Sequence, residues 1–106
     1  MVIQEEKKGD ALTVKPEGRL DTLSSPELDR FLQERYSSAW QIILDLEKVE
    51  YISSAGLRVV IQAHKAMKAK GGLLVSNACP AVMEVFIATG FVHVLKFTEE
   101  QKQTDE

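Results

Sequence analysis

Strand-like and helix-like stretches alternate along most of this chain, and that alternation restricts the fold more than any other feature. WQIILDLEKV (40–49) is a continuous apolar run of the kind found in central strands. AGLRVVIQAHKAMKAKGG (55–72) then repeats apolar residues at helical spacing and ends on two glycines. LLVSNA is another short strand, PAVMEVFIATG a helix and FVHVLKF a last strand. This order predicts an α/β fold in which helices cover a central sheet.

The first forty residues add two strands and a helix to this pattern. Residues 2–18 predict two strands joined by a turn at Gly9, because apolar and polar residues alternate in the second of them. Ser25 and Pro26 are typical of a helix start. The buried face of that helix is predicted to carry Leu28, Phe31, Leu32 and Tyr36. The order β-β-α-β-α-β-α-β predicts a single-domain sandwich, with a mixed sheet of four to five strands and about three main helices.

The composition limits the class of protein. The chain has 106 residues, 44% of them hydrophobic, which is enough for one domain with a modest core. Its 16 acidic and 13 basic residues argue against a nucleic-acid-binding protein. One cysteine, no signal-peptide pattern and no apolar run of about 20 residues indicate a cytoplasmic protein without a membrane partner. Residues 1–98 are predicted to form the domain, and residues 99–106 a frayed polar tail.

YISSAGLR (51–58) is the segment of most chemical interest, because two serines lie where a strand ends and a helix begins. A helix start has free N–H groups and partial positive charge, which favour an anion such as phosphate. The small residues Ala55 and Gly56 would let a second protein approach the hydroxyls closely. From the residues alone, a serine that only caps the helix is the simpler interpretation, since nothing in the spacing makes a cap a phosphoacceptor.

No other segment predicts a catalytic or ligand site. His64 follows Ser54 by ten residues on the same predicted helix, roughly 15 Å away, which is too far for it to act as a base. Cys79 is a lone cysteine, which is more often inert than reactive. The sequence contains no Gly-rich phosphate loop, metal-ligand cluster or cofactor motif. We therefore expect no enzymatic activity, no cofactor and no metal.

The ordered set of segments resembles a STAS domain and, more narrowly, the anti-sigma factor antagonists, also called anti-anti-sigma factors. The segment IILDLEKVEYISSAGLRVVIQAHKAMKAKGGLLVSNACPAVMEVFIATG is similar to that family's strand, D-S-[ST]-G-L loop, helix, glycine-bounded turn, strand and final helix. GRLDTLSSPELDRFL is similar to the family's G-x-L-D segment and the helix after it. The resemblance runs from about residue 2 to residue 97, nearly the whole chain.

The resemblance implies roles for particular residues. The family's phosphorylated serine lies two residues before the glycine, which implies Ser54, with Ser53 as the alternative because it stands where the family often has Asp. Ser54 would then be both the cap of the helix and the acceptor. Asp21 matches the family's loop aspartate near the acceptor, and the alternative is that it is only a turn residue. Asp45 matches an aspartate near the end of the central strand, and the alternative is that it is a solvated acid.

A stripe of small apolar residues, Val59, Ala63 and Ala66, lies off the predicted buried face of the second helix, and we expect it to extend the partner site. That buried face is predicted to carry Leu57, Val60, Ile61, His64 and Met67. The expected partner surface therefore comprises Asp21, Ser53, Ser54, Ala55, Gly56, Arg58, Val59 and Ala63.

The resemblance also implies a function. The unphosphorylated protein would bind an anti-sigma factor, usually a serine kinase of the histidine-kinase-like ATPase fold, and so release a sigma factor. That kinase would phosphorylate the serine, and a PP2C-like serine phosphatase would reverse the reaction. The alternatives are a stand-alone STAS scaffold in a lipid-transport complex, a stressosome-like or phosphorelay adaptor, and a small enzyme.

Overall fold

Six strands and three α-helices make up the part of the chain that the computed structural model describes, residues 1–98. They are β1 (Val2–Lys8), β2 (Ala11–Leu20), α1 (Ser25–Gln33), β3 (Gln41–Asp45), β4 (Val49–Ile52), α2 (Ser54–Met67), β5 (Leu73–Ser76), α3 (Pro80–Thr89) and β6 (Lys96–Phe97). The predicted α/β class with three main helices is confirmed, and the sheet has one strand more than the four to five predicted. The tail predicted to be frayed, 99–106, lies outside the described residues.

The sheet is mixed, with the strand order β1-β2-β3-β5-β6 and β4 beside β2. β1 is antiparallel to β2, and the other pairs are parallel. The long strand β2 pairs with β3 along its first half and with β4 along its last three residues, with an irregularity in the pairing between Gly18 and Arg19. Leu20 is consequently the register partner of Ile52, and the segments that follow these two residues start side by side.

The short strand β4 was not predicted, because the apolar run 40–49 was interpreted as one strand. In the structure β3 ends at Asp45, whose carboxylate accepts a hydrogen bond from the Glu47 N–H at 3.0 Å. The Val49 N–H then donates to the Leu46 carbonyl at 3.0 Å, which closes a turn before β4 begins. The apolar run therefore contains β3 and a tight turn, and β4 begins only at the last residue of the run, Val49.

The predicted last strand, 91–97, is also wrong over its first five residues. Gly90 ends α3 in the left-handed conformation, with φ of +82°, and the chain continues as a 3-10 turn over Phe91–His93. Only Lys96 and Phe97 pair with β5. The helix start predicted at Ser25 and Pro26 is confirmed, because α1 begins at Ser25, but the N-cap position is held by Ser24, whose side chain makes no capping hydrogen bond.

One core cluster lies between the sheet and the helices, and α2 contributes more of it than predicted. Val59 is 6% exposed and Ala63 0%, so the stripe expected to contact a partner is wrong at both residues. The physical reason is that α2 contacts α1 as well as β4 and β5, which requires a wider apolar face. Ile61 and His64, predicted to be buried, are only partly so. The buried side of α2 comprises Gly56, Leu57, Val59, Val60, Ala63 and Met67.

Candidate functional site

The start of α2 lies against the carboxyl end of β2. The Ser53 N–H donates to the Leu20 carbonyl at 2.8 Å, one residue beyond the register pair Leu20–Ile52. Asp21 follows Leu20 directly, so the loop after β2 and the start of α2 meet at this edge of the sheet. The structure thus brings Asp21 and the two serines to the same region, as the resemblance implied.

The two serines have different roles in the helix start. Ser53 is the N-cap: its backbone is extended, and its hydroxyl accepts the Gly56 N–H at 3.4 Å. Ser54 is the first residue of α2, and its side chain is exposed. Within residues 1–98, the Ser54 hydroxyl has no hydrogen-bond partner. The prediction that Ser54 would be both cap and acceptor is therefore wrong about the cap, which Ser53 provides.

Packing inside the molecule requires a glycine at position 56. A Cβ at this position would lie 2.8 Å from the Leu20 carbonyl oxygen and 2.9 Å from Cγ1 of Ile52, closer than such atoms approach. Glycine therefore allows the first turn of α2 to sit directly on the ends of β2 and β4. The expectation that Gly56 would offer space to a partner is wrong, since the residue is buried. Ala55 is half-buried at the edge of the exposed surface.

Asp21 organises the loop between β2 and α1. Its Oδ1 accepts the N–H groups of Leu23 at 3.0 Å and Ser24 at 3.1 Å, and the Ser24 hydroxyl donates to it at 3.2 Å. The hydrogen bond from the Ser24 backbone is the main reason that the pKa of Asp21 is lowered. The turn role left open by the sequence is thus present. A contact between Asp21 and a partner stays a prediction.

Asp45 does not reach the surface at this site. It is 8% exposed, lies 3.7 Å from the Lys15 Nζ and accepts the Asn77 side-chain amide at 3.2 Å. The carboxylate is a paired, buried group at the end of β3. The alternatives of a solvated acid and of a partner contact are both wrong for Asp45.

Three exposed residues near the serines were not singled out from the sequence. Leu23, in the loop after β2, is 87% exposed. Arg19 and Tyr51 are register partners at the ends of β2 and β4, and the guanidinium lies 4.2 Å from the centre of the tyrosine ring. The available signal was a leucine placed in an otherwise polar loop. Together they add an apolar and a cation–aromatic element to the surface beside Ser53.

Other chemistry is sparse in the described residues. Between residues 1 and 98, no group of three or more His, Cys, Asp or Glu side chains could hold a metal ion. Within the same range, none of the helices combines the length and apolar character needed to cross a bilayer. Partial burial, followed by the charges of Lys68 and Lys96, lowers the pKa of His64.

Comparison with known proteins identifies the family. The family model described as "STAS domain" matches residues 2–103. The chain belongs to the STAS domain family. BtrV of Bordetella bronchiseptica, named as a candidate anti-sigma factor antagonist, is 42% identical to this STAS protein over 55 residues. That match covers 51% of this chain and 47% of BtrV, so the chain matches about half the length of this curated relative.

Solved structures of anti-sigma factor antagonists share the fold. One from Mycobacterium paratuberculosis has a TM-score of 0.85 at 20% identity, over 98% of this chain and 92% of that one. Unphosphorylated SpoIIAA has a TM-score of 0.77 at 19% identity, over 98% and 94% of the two chains. Phosphorylated SpoIIAA from Bacillus has a TM-score of 0.71 at 18% identity, over 98% and 97%. The resemblance to STAS domains and to anti-sigma factor antagonists is thus confirmed.

Proposed function

We propose that this STAS protein is an anti-sigma factor antagonist whose partner binding is switched off by phosphorylation of Ser54. The observation that supports this most is that the two serines at the start of α2 have different roles. Ser53 caps the helix, while the Ser54 hydroxyl is exposed and free of hydrogen bonds within residues 1–98. A modification of Ser54 therefore breaks no internal contact of the described structure.

The unphosphorylated protein would bind an anti-sigma factor and thereby release a sigma factor. The anti-sigma factor would itself be a serine kinase of the histidine-kinase-like ATPase fold, supplying ATP, magnesium and a general base. The Ser54 oxygen would bond to the γ-phosphorus of ATP as the bond to ADP breaks, and the hydroxyl proton would pass to the kinase base. A PP2C-like phosphatase would restore the serine with water and release inorganic phosphate.

The chemistry of the site explains why the modification would change binding and leave the fold intact. Phosphate adds about 1.5 to 2 negative charges at neutral pH. At the first position of a helix this charge is favourable, because unpaired N–H groups and the positive end of the helix dipole lie there. On a partner surface shaped for a neutral hydroxyl, the same charge would have to be desolvated without a counterion on the partner.

The proposed partner surface centres on the exposed residues around this helix start. It includes Leu23, Ser54 and Arg58, with the half-buried residues Asp21, Ser53 and Ala55 at its edge. Val59 and Ala63 are left out, because the core encloses them.

The test is a phosphorylation assay. The protein is incubated with ATP and with the histidine-kinase-like ATPases encoded near its gene, and the phosphate is mapped by mass spectrometry. Ser54→Ala should abolish the modification, while Ser53→Ala should keep most of it. Phosphate on Ser53 with Ser54 unmodified would overturn the assignment. If no ATPase modifies either serine, a constitutive scaffold role replaces the switch.

A further inference from the structure

The exposed face of α2 carries positive charge with no acid to balance it. Residues 51–83 contain neither Asp nor Glu, although the whole chain has 16 acidic residues and a net charge of −3. Three exposed cations, Arg58, Lys65 and Lys68, lie on α2 and at its end. Within residues 1–98 none of them forms an ion pair.

Some cations elsewhere among residues 1–98 are paired with acidic side chains, whereas α2 has no acidic residue of its own. Arg35 binds Glu5 with a shortest distance of 2.8 Å, Lys15 lies 3.7 Å from Asp45, and Lys48 lies 3.9 Å from Glu17. An anion added to Ser54 would thus find cations on the same helix without competition from a carboxylate of that helix.

Arg58 is the cation placed to meet an anion on Ser54. Residues four apart lie on the same face of a helix, and the axial rise separates these two by roughly 6 Å. Both side chains are exposed, and neither makes a hydrogen bond within residues 1–98. An anion four residues before a cation is also the favourable order for such a pair. Lys65 lies roughly 16 Å from Ser54 along the axis, beyond the screening length of about 8 Å at physiological salt.

We propose that Arg58 is the intramolecular partner of the phosphate on Ser54, so that phosphorylation turns a free cation on the docking surface into an ion pair. This inference rests on the proposed phosphorylation of Ser54. The planar guanidinium can bind two phosphate oxygens at once, which a lysine at the same position cannot reproduce. The local charge from the two residues changes from +1 to about −1.

This arrangement gives the switch two effects from one modification. Unphosphorylated, the protein presents a neutral hydroxyl and a free guanidinium, which is suited to a carboxylate on the partner. Phosphorylated, it presents net negative charge, and the guanidinium is already occupied. A partner carboxylate would then lose its counterion and meet a like charge at the same point.

The experiment uses the full chain with phosphoserine placed at position 54 by genetic incorporation, and needs neither kinase nor partner. The second pKa of the phosphate, near 6 when unperturbed, is measured by phosphorus NMR as a function of pH. Pairing with Arg58 favours the dianion and lowers this pKa. Arg58→Gln should therefore raise it by about 0.3 units, the equivalent of an exposed helical ion pair. Arg58→Lys should raise it by less.

Lys65→Gln is the matched control, because it removes one positive charge from the same helix face. It should leave the phosphate pKa unchanged at physiological salt. An unchanged pKa in Arg58→Gln, or equal shifts in Arg58→Gln and Lys65→Gln, would overturn the proposed pair while leaving the phosphorylation of Ser54 standing. Failure of every kinase to modify Ser54 would instead defeat the proposed function and leave the NMR result as it is.

Discussion

Replacing Gly56 with alanine should destabilise the protein, although alanine is the better helix former. A Cβ at position 56 would lie 2.8 Å from the Leu20 carbonyl oxygen and 2.9 Å from both the Leu20 Cβ and Cγ1 of Ile52. Two of these atoms belong to the end of β2, which is held in the sheet by its pairing with β4. The first turn of α2 would have to move away from the strands to admit one methyl group.

The magnitude follows from two opposing effects. Alanine gains about 1 kcal/mol over glycine inside a helix. Overpacking a tight contact costs about 1–3 kcal/mol. Moving the helix also stretches the 2.8 Å hydrogen bond from the Ser53 N–H to the Leu20 carbonyl, worth about 1 kcal/mol. We expect Gly56→Ala to lower the free energy of unfolding by about 1–3 kcal/mol in total.

Equilibrium urea denaturation, followed by circular dichroism, measures this change. Ala66→Gly is the matched control. Ala66 is exposed on the same helix, so this substitution changes the helix propensity without changing a buried contact. That variant should lose about 1 kcal/mol. A Gly56→Ala protein more stable than the wild type would refute the reasoning, since it would mean that propensity outweighs the close approach of α2 to β2.

Three further predictions concern residues of the same region. Ser53→Ala should lower the free energy of unfolding by about 0.5–1 kcal/mol through loss of the cap, and Ser54→Ala should change it by less than about 0.5 kcal/mol; equal losses in denaturation experiments would contradict the cap assignment. Ala63→Glu buries a charge in the core and should abolish the cooperative thermal transition, whereas a folded variant with weakened partner binding would contradict this. The lowered pKa of Asp21 stabilises the fold above the ordinary aspartate pKa of about 3.9 and ceases to do so as the pH falls through the lower folded value. The melting temperature of Asp21→Ala should therefore lie below that of the wild type at neutral pH and approach it in acid, and a constant difference would count against the carboxylate's role.

The sequence was sufficient to predict the three helices and most of the strands, because the periods of strands and helices are local properties. It was insufficient to predict which of two adjacent serines caps a helix, and both predicted caps were one residue late. Ser24 and Ser25 have the same intrinsic preference, as do Ser53 and Ser54. At α2 the choice follows from a tertiary contact, the hydrogen bond from the Ser53 N–H to the Leu20 carbonyl.

The end of β3 inside the run 40–49 also depends on partners distant in sequence. The Asp45 carboxylate that ends β3 is held by Lys15 and Asn77, which local pattern cannot reveal. The burial of Val59 and Ala63 has a similar origin, because the width of an apolar helix face depends on how many neighbours the helix has. The exposure of surface residues such as Leu23 was not predicted, because it is a property of the folded loop.

The most direct test of the account compares the unmodified protein with the form that carries phosphoserine at position 54. Each is titrated by calorimetry into the kinase found in the phosphorylation assay, and each is scanned for its melting temperature. The phosphorylated form should have an equal or slightly higher melting temperature. Its affinity should be at least tens-fold lower, since net negative charge that the partner does not neutralise costs about 2–5 kcal/mol at an interface. Unchanged affinity, or a sharp fall in the melting temperature, would contradict a switch that acts through the docking surface.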